Sequence, residues 1–186
     1  MNSWLKSRRQ SWPDQIGEME GPVSDISDAE VDERRLRQQI RVKAMDLLAR
    51  REYSRKELQQ RLLQRDYAAE LVDQVITQLL SECLLSDERF VESFINSRMQ
   101  RGQGPVRIRA ELRDRGISDD LIEAMLDMRD PVWRTSLYEI HARRFAGEMP
   151  TTPGERARQQ RFFTYRGFTS EQIRALFRQD VDNEVE

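Results

Sequence analysis

Arg65-Asp66-Tyr67, Arg115-Gly116-Ile117 and Arg166-Gly167-Phe168 repeat one short pattern at spacings of 50 and 51 residues. Around each copy, an arginine-rich helical pattern lies before it and an acidic, apolar-periodic stretch lies after it. The period therefore belongs to a supersecondary unit and not to a chance tripeptide. Three related units in tandem are expected, at 35–83, 84–128 and 129–180. A single unit of about 50 residues buries too small a fraction of its surface to be robust, so neighbouring units should pack on one another in an elongated array.

The spacing of apolar residues makes each unit three helices. Leu36, Ile40, Ala44, Leu47 and Leu48 fall on one helical face, and that helix is expected to end near Glu52. Ser54-Arg55-Lys56-Glu57 then reads as a capping box, worth roughly 1 kcal/mol, that opens a helix burying Leu58, Leu62 and Leu63. Leu71, Val72, Val75, Ile76, Leu79 and Leu80 form the third stripe.

The middle unit repeats the plan with Ser86 as a cap and Gly102 as a left-handed stop. Pro105 suits a first turn, and Gly116 precedes the Ser118 cap. The third has Asp130-Pro131 at its start, Trp133 and Leu137 in its first helix, Gly147 as a stop and Thr152-Pro153-Gly154-Glu155 as a second capping box. Thr169 to Gln172 cap its last helix. From Thr152 to Arg166 its second helix should be about one turn longer than the first copy's. The first copy departs from the pattern, with Asp66 in place of glycine and Ala68 in place of a capping residue. It is expected to fray most there.

No stretch alternates apolar and polar residues for long, so the fold class is all-α. Residues 1–34 hold Pro13, Gly17, Gly21 and Pro22, with eight acids and no base from Gln10 to Glu33. They read as a disordered acidic tail, and 181–186 as a second one. One cysteine, Cys83, excludes an intrachain disulfide and thiolate metal clusters. With neither a leader nor an 18-residue apolar segment, the expectation is a cytoplasmic protein away from membranes.

A net charge of -2 hides segregation along the chain. Arg50–Arg65, Arg98–Arg115 and His141–Arg166 each carry six arginines or lysines against two acids. Asp66–Ser97 carries seven acids and one base, and Gly116–Ile140 six acids and two bases. Three basic blocks in register with the repeat point to a periodic basic stripe.

Ser86-Asp87-Glu88-Arg89-Phe90-Val91, then Arg98, then Gly102-Gln103-Gly104-Pro105-Val106-Arg107-Ile108-Arg109-Ala110-Glu111-Leu112, then Arg115-Gly116-Ile117 resemble the RecX family of RecA regulators. The resemblance spans roughly 36–179 and is most specific in the middle unit. In the first it rests on Tyr53-Ser54 and Glu57-Leu58, in the third on Arg166-Gly167-Phe168.

It implies three tandem three-helix repeats that bind RecA filaments on single-stranded DNA along the groove, without chemistry by this chain. Filament extension, strand exchange, ATP hydrolysis and co-protease activity would be inhibited. The partners implied are the RecA filament and single-stranded DNA within it, with weak binding to naked DNA. The chain is expected to be a monomer with no cofactor and no metal.

One basic patch per unit matches a periodic, polyanionic ligand, and three modest contacts reinforce one another through effective concentration. The candidate filament- or DNA-binding residues are Arg98, Arg101, Arg107, Arg109, Arg113 and Arg115 in the middle unit. Before it come Arg55, Lys56, Arg61 and Arg65, and after it Arg156, Arg158 and Arg161. Arginine grips phosphate or carboxylate through two parallel hydrogen bonds, so the residue type leaves DNA backbone and an acidic RecA surface both open. Arg65, Arg115 and Arg166 have a second reading, bracing helix ends by donating to C-terminal carbonyls.

Tandem helix-turn-helix modules reading duplex DNA are the alternative, but third helices bearing Glu70, Asp73, Asp119, Asp120, Glu123 and Asp127 would be repelled from a major groove. An enzyme is disfavoured because His141, the only histidine, lies beside Arg143 and Arg144 in a helical pattern, and no nucleophile and base are identifiable.

Overall fold

The computed structural model describes residues 28–178, and among these every regular element is a helix. The first unit comprises α1 (Asp28–Leu48), α2 (Arg55–Leu63) and α3 (Ala69–Ser81), and the second α4 (Asp87–Gln100), α5 (Pro105–Asp114) and α6 (Asp119–Met125). The third comprises α7 (Val132–Phe145), α8 (Pro153–Arg166) and α9 (Ser170–Leu176). Three consecutive three-helix units are thus present. The longer second helix of the third unit is present too, 14 residues against 9 and 10.

Helix α1 corrects the expected tail boundary. Residues 28–34 are helical and not part of a disordered tail, because acids at the start of a helix complement its positive end and Glu33 pairs with Arg37 one turn on. Residues 1–27 and 179–186, with the rest of both expected tails, lie outside the described residues. At its other end α1 stops at Leu48 and not near Glu52. The chain leaves the helix to bury Tyr53 and Ser54, with the Arg51 guanidinium 3.6 Å over the Tyr53 ring.

The caps at Ser86, Ser118, Thr152 and Thr169 each accept the expected amide. The boxes at Thr152 and Thr169 are complete, and the amides and hydroxyls around Glu155 hold its carboxyl below the usual range. Ser54 forms half a box. Its hydroxyl accepts from the Glu57 amide, but the Glu57 carboxylate is drawn away to Arg51 and Arg115.

Each unit has its own core, built around Ile40, Leu58 and Ile76, around Phe90, Ile108 and Leu112, and around Leu137, Phe163 and Ile173. The connectors stitch them together. Leu85 completes the first core. Trp133, on the first helix of the third unit as expected, buries its ring in the second core with its Nε1 donating to the Asp127 carbonyl at 2.8 Å.

The units dock through their second helices, end to end. At the second junction the Gly104 and Val106 amides at the start of α5 donate to the Arg166 and Gly167 carbonyls at the end of α8, at 2.8 and 3.0 Å. At the first, the Ser54 hydroxyl donates to the Arg115 carbonyl and Lys56 Nζ to the Asp114 carbonyl, at 2.8 and 3.1 Å. Helix ends expose amides at the start and carbonyls at the finish that lack partners within the helix; at the second junction each end supplies the other's, and at the first, side chains of α2 and its cap supply the carbonyls of α5. Gly104 has no side chain to cap α5 and Pro105 has no N–H, so α8 does the capping.

This contact explains the glycines of the repeat. Gly116 and Gly167 adopt φ of +81° and +90°, and a Cβ on them would lie 2.6 Å from Lys56 Cδ and 2.3 Å from Arg107 Cβ. Asp66 takes the same left-handed conformation, at φ +58°, but it ends the column. It is exposed, so a side chain is tolerated at the strain of the backbone alone.

Gly167→Ala is expected to destabilise the protein by ~3 kcal/mol or more in urea titration, combining left-handed strain with overpacking. Gly147→Ala, at φ +77° with nothing within 4 Å of the added carbon, should cost only ~1 kcal/mol. Equal losses would remove the docking role of Gly167.

Candidate functional site

The arginines of the middle unit converge on one carboxylate. Glu111, half-buried on α5, accepts from Arg98 Nε at 2.8 Å and from Arg107 Nε at 3.0 Å, and Arg115 Nη1 lies 4.0 Å away. Arg98 and Arg115 also sit over the Phe94 ring, at 4.4 and 4.6 Å from its centroid. Arg115 Nε reaches Glu57 of the first unit at 3.2 Å, and its Nη1 donates to the Glu111 carbonyl. Burial raises the Glu111 carboxyl, but hydrogen bonds and charge from Arg107 and Arg98 together outweigh it and hold the group below the usual range.

The remaining middle-unit arginines pair across helices. Arg109 Nη2 meets Glu123 at 2.8 Å and Arg113 Nε meets Asp119 at 2.6 Å, so acids of α6 neutralise bases of α5. Counting along the chain separates these groups, whereas the packing of α5 on α6 brings them together. Among the six middle-unit candidates only the Arg101 side chain stands exposed without a partner.

The first-unit candidates divide. Lys56 is held on Asp114, and the Arg55 amide donates to Asp87 while its side chain is exposed. Arg61 and Arg65 are exposed and form no ion pair. Of the junction arginines, Arg115 braces its own helix as expected, and Arg166 Nη1 donates at 2.8 Å to the Arg101 carbonyl at the end of α4. Arg65 braces nothing.

Free positive charge instead gathers in the third unit. Residues 28–85 hold eleven bases and eleven acids, 86–126 seven and eight, and 132–178 nine and four. Among the described residues no salt bridge involves the third unit. Arg158 and Arg161 are exposed and unpaired, and Arg156 rests over Phe177. Near them stand Arg143 and Arg144, which belong to the third basic block but not to the candidate residues, and Tyr165, which is 77% exposed. The available signal was the scarcity of acids after Pro131.

His141 is buried, its Nε2 3.1 Å from Gln159 Oε1 and its ring packed on Phe145 and Phe163. It takes the packing role. Among the described residues no cluster of His, Cys, Asp and Glu could hold a metal, and no helix is long and apolar enough to cross a membrane.

Models of the RecX first and second three-helix domains match residues 41–79 and 86–126. Regulatory protein RecX of Pseudomonas savastanoi pv. phaseolicola is 46% identical over 137 residues, 74% of this chain and 88% of that protein. The chain belongs to the RecX family. Regulatory protein RecX of Pseudomonas putida strain GB-1 is 45% identical over 145 residues, covering 77% and 93% of the two chains. The crystal structure of RecX from Lactobacillus salivarius shares the fold, with a TM-score of 0.68 at 21% identity over 81% of this chain and 99% of that one.

The RecX-like motif of the middle unit now has a structural meaning. Gly104, Arg107, Arg115 and Gly116 all serve the end-to-end junctions, and Glu111 ties three of the unit's arginines together. Glu111→Gln is expected to lower stability by about 2 kcal/mol at neutral pH. Because the folded carboxyl lies below its ordinary 4.5, that contribution is present above about pH 4.5 and lost as pH falls through the folded value. Urea titrations should therefore show the gap between variant and parent closing below pH 4.5, and a gap constant with pH would contradict the pairing of Glu111 with these arginines.

Proposed function

We propose that this RecX-family chain is a non-enzymatic regulator of homologous recombination and DNA repair. It acts as a monomer in the cytoplasm by occupying RecA filaments on single-stranded DNA. Occupancy inhibits filament extension and with it strand exchange, ATP hydrolysis and co-protease activity. No cofactor is needed, since the effect is steric and electrostatic.

The observation that carries this reading is the run of unpaired arginines on the third unit of a tandem array. Consecutive units keep one relation, second helix docked to second helix, so the array offers similar surfaces in succession to a partner that is itself repetitive and polyanionic. Middle-unit arginines act mainly inside the protein, and the filament-facing charge comes from Arg156, Arg158 and Arg161, with Arg61 and Arg65 at the far end. Duplex reading by third helices fits less well: α6 opens with Asp119 and Asp120 and carries Glu123, all exposed, and would meet phosphates with like charge.

Replacing Arg156, Arg158 and Arg161 together with alanine should weaken binding to RecA-coated single strands at least tenfold and flatten its salt dependence, with helicity unchanged. Replacing Arg107, Arg109 and Arg113 should lower stability more than intrinsic contact affinity. Tight, sequence-specific binding to naked duplex at matched salt would favour the duplex-reading alternative and end this proposal.

A further inference from the structure

Two surface cavities, of about 820 and 270 Å³, share Arg143 and Arg144 as lining residues. They form one groove between α7 and α8 that opens onto the junction of the second and third units. Along α8 it is bordered by Arg158, Phe162 and Arg166, and at the junction by Arg101. From Arg158 to Arg166 is eight residues of helix, ~12 Å at 1.5 Å per residue. The end at the junction has four arginines and no carboxylate. At the other end stand Glu148 and Glu155, the latter bound to the amides of Thr151 and Thr152.

Two of these guanidiniums are held from behind. Arg166 donates Nη1 to the Arg101 carbonyl and lies 5.2 Å over Phe162, and Arg143 Nε donates to the Glu139 carbonyl. Each such contact uses one of the five N–H donors of a guanidinium and leaves a fork for a ligand. A groove this long, lined by several arginines of which two are held in place, suits a chain bearing one negative charge per repeat, not a single small anion.

Tyr165, 77% exposed, lies one turn beyond Phe162 and beside Arg107, 5.6 Å from its ring centroid. An open aromatic face beside arginines is what stacks an unpaired base, and an acidic peptide has no use for it.

We propose that the α7–α8 groove binds the phosphate backbone of single-stranded nucleic acid, with Arg143, Arg144 and Arg166 gripping successive phosphates and Tyr165 stacking a base. This deepens the filament reading by naming what one part of the surface touches, and it stands on naked strand as well.

The test uses the full chain and labelled oligo-dT in fluorescence anisotropy across a salt series, with inhibition of RecA's DNA-dependent ATP hydrolysis followed in parallel. Arg143→Ala/Arg144→Ala should lose at least tenfold in affinity and reduce the log-log salt slope by about 1.4, two single-strand phosphate contacts. Arg143→Lys/Arg144→Lys should keep the slope and lose a few-fold in affinity, since charge remains but the fork does not. Arg34→Ala/Arg35→Ala, which removes equal charge from exposed positions on α1, should bind as the parent does.

The proposal is overturned if the α7 alanine pair matches the parent or the α1 pair, if the parent does not bind oligo-dT, or if polyglutamate of equal length competes as well as oligo-dT. Any of these with inhibition of ATP hydrolysis intact removes the groove assignment and leaves the filament reading. Loss of oligo-dT binding in the alanine pair from a parent that never inhibits RecA sustains the groove and removes the filament reading.

Discussion

A helix that ends in the open leaves carbonyls without partners, and one that begins without a capping side chain leaves amides without them. At the second junction of this fold the two deficits meet. The finish of α8 caps the start of α5, and the finish of α5 is closed by Ser54 and Lys56 at the start of α2. The three second helices therefore form a column running the same way, with positive and negative helix ends adjacent at each junction. Such closeness leaves no room for a Cβ at the turn, which is why the repeat carries glycine at the two inner positions and can carry Asp66 at the outer one.

Charge follows from the same packing. Bringing α5 against α6 and against the first unit places Glu57, Glu111, Asp119 and Glu123 among the arginines of the middle unit; most of those pairs brace the unit itself, and Arg115–Glu57 ties it to the first. The first junction is thus knitted largely by side chains and ion pairs, the second by backbone hydrogen bonds. The third unit has too few acids for this treatment, and most of its arginines stay exposed without a salt bridge. A RecX-family regulator built this way separates arginines that hold the array from arginines that face outward.

The repeat, the nine helices of the described residues and most caps were legible because they rest on local signals: a 3.6-residue apolar period, Ser or Thr before a helix, Gly or Pro at its ends. The start of α1 was not, since acids at 28–33 read as tail by composition while complementing a helix start by position. Spacing places Trp133 on the first helix of the third unit, where it is, but does not tell that its ring crosses into the second core. Linear charge density marks the candidate arginines but carries no sign of Arg109 facing Glu123 or Arg113 facing Asp119. Arg143 and Arg144 gain meaning only once α8 lies beside α7.

Amide hydrogen exchange at the start of α5 tests the end-to-end column most directly. First-turn amides of a helix normally exchange fast, being open to water. The column predicts that the Gly104 and Val106 amides, bonded to the Arg166 and Gly167 carbonyls, exchange slowly with protection close to that of the α5 interior. Exchange there as fast as in an uncapped, exposed first turn would contradict it.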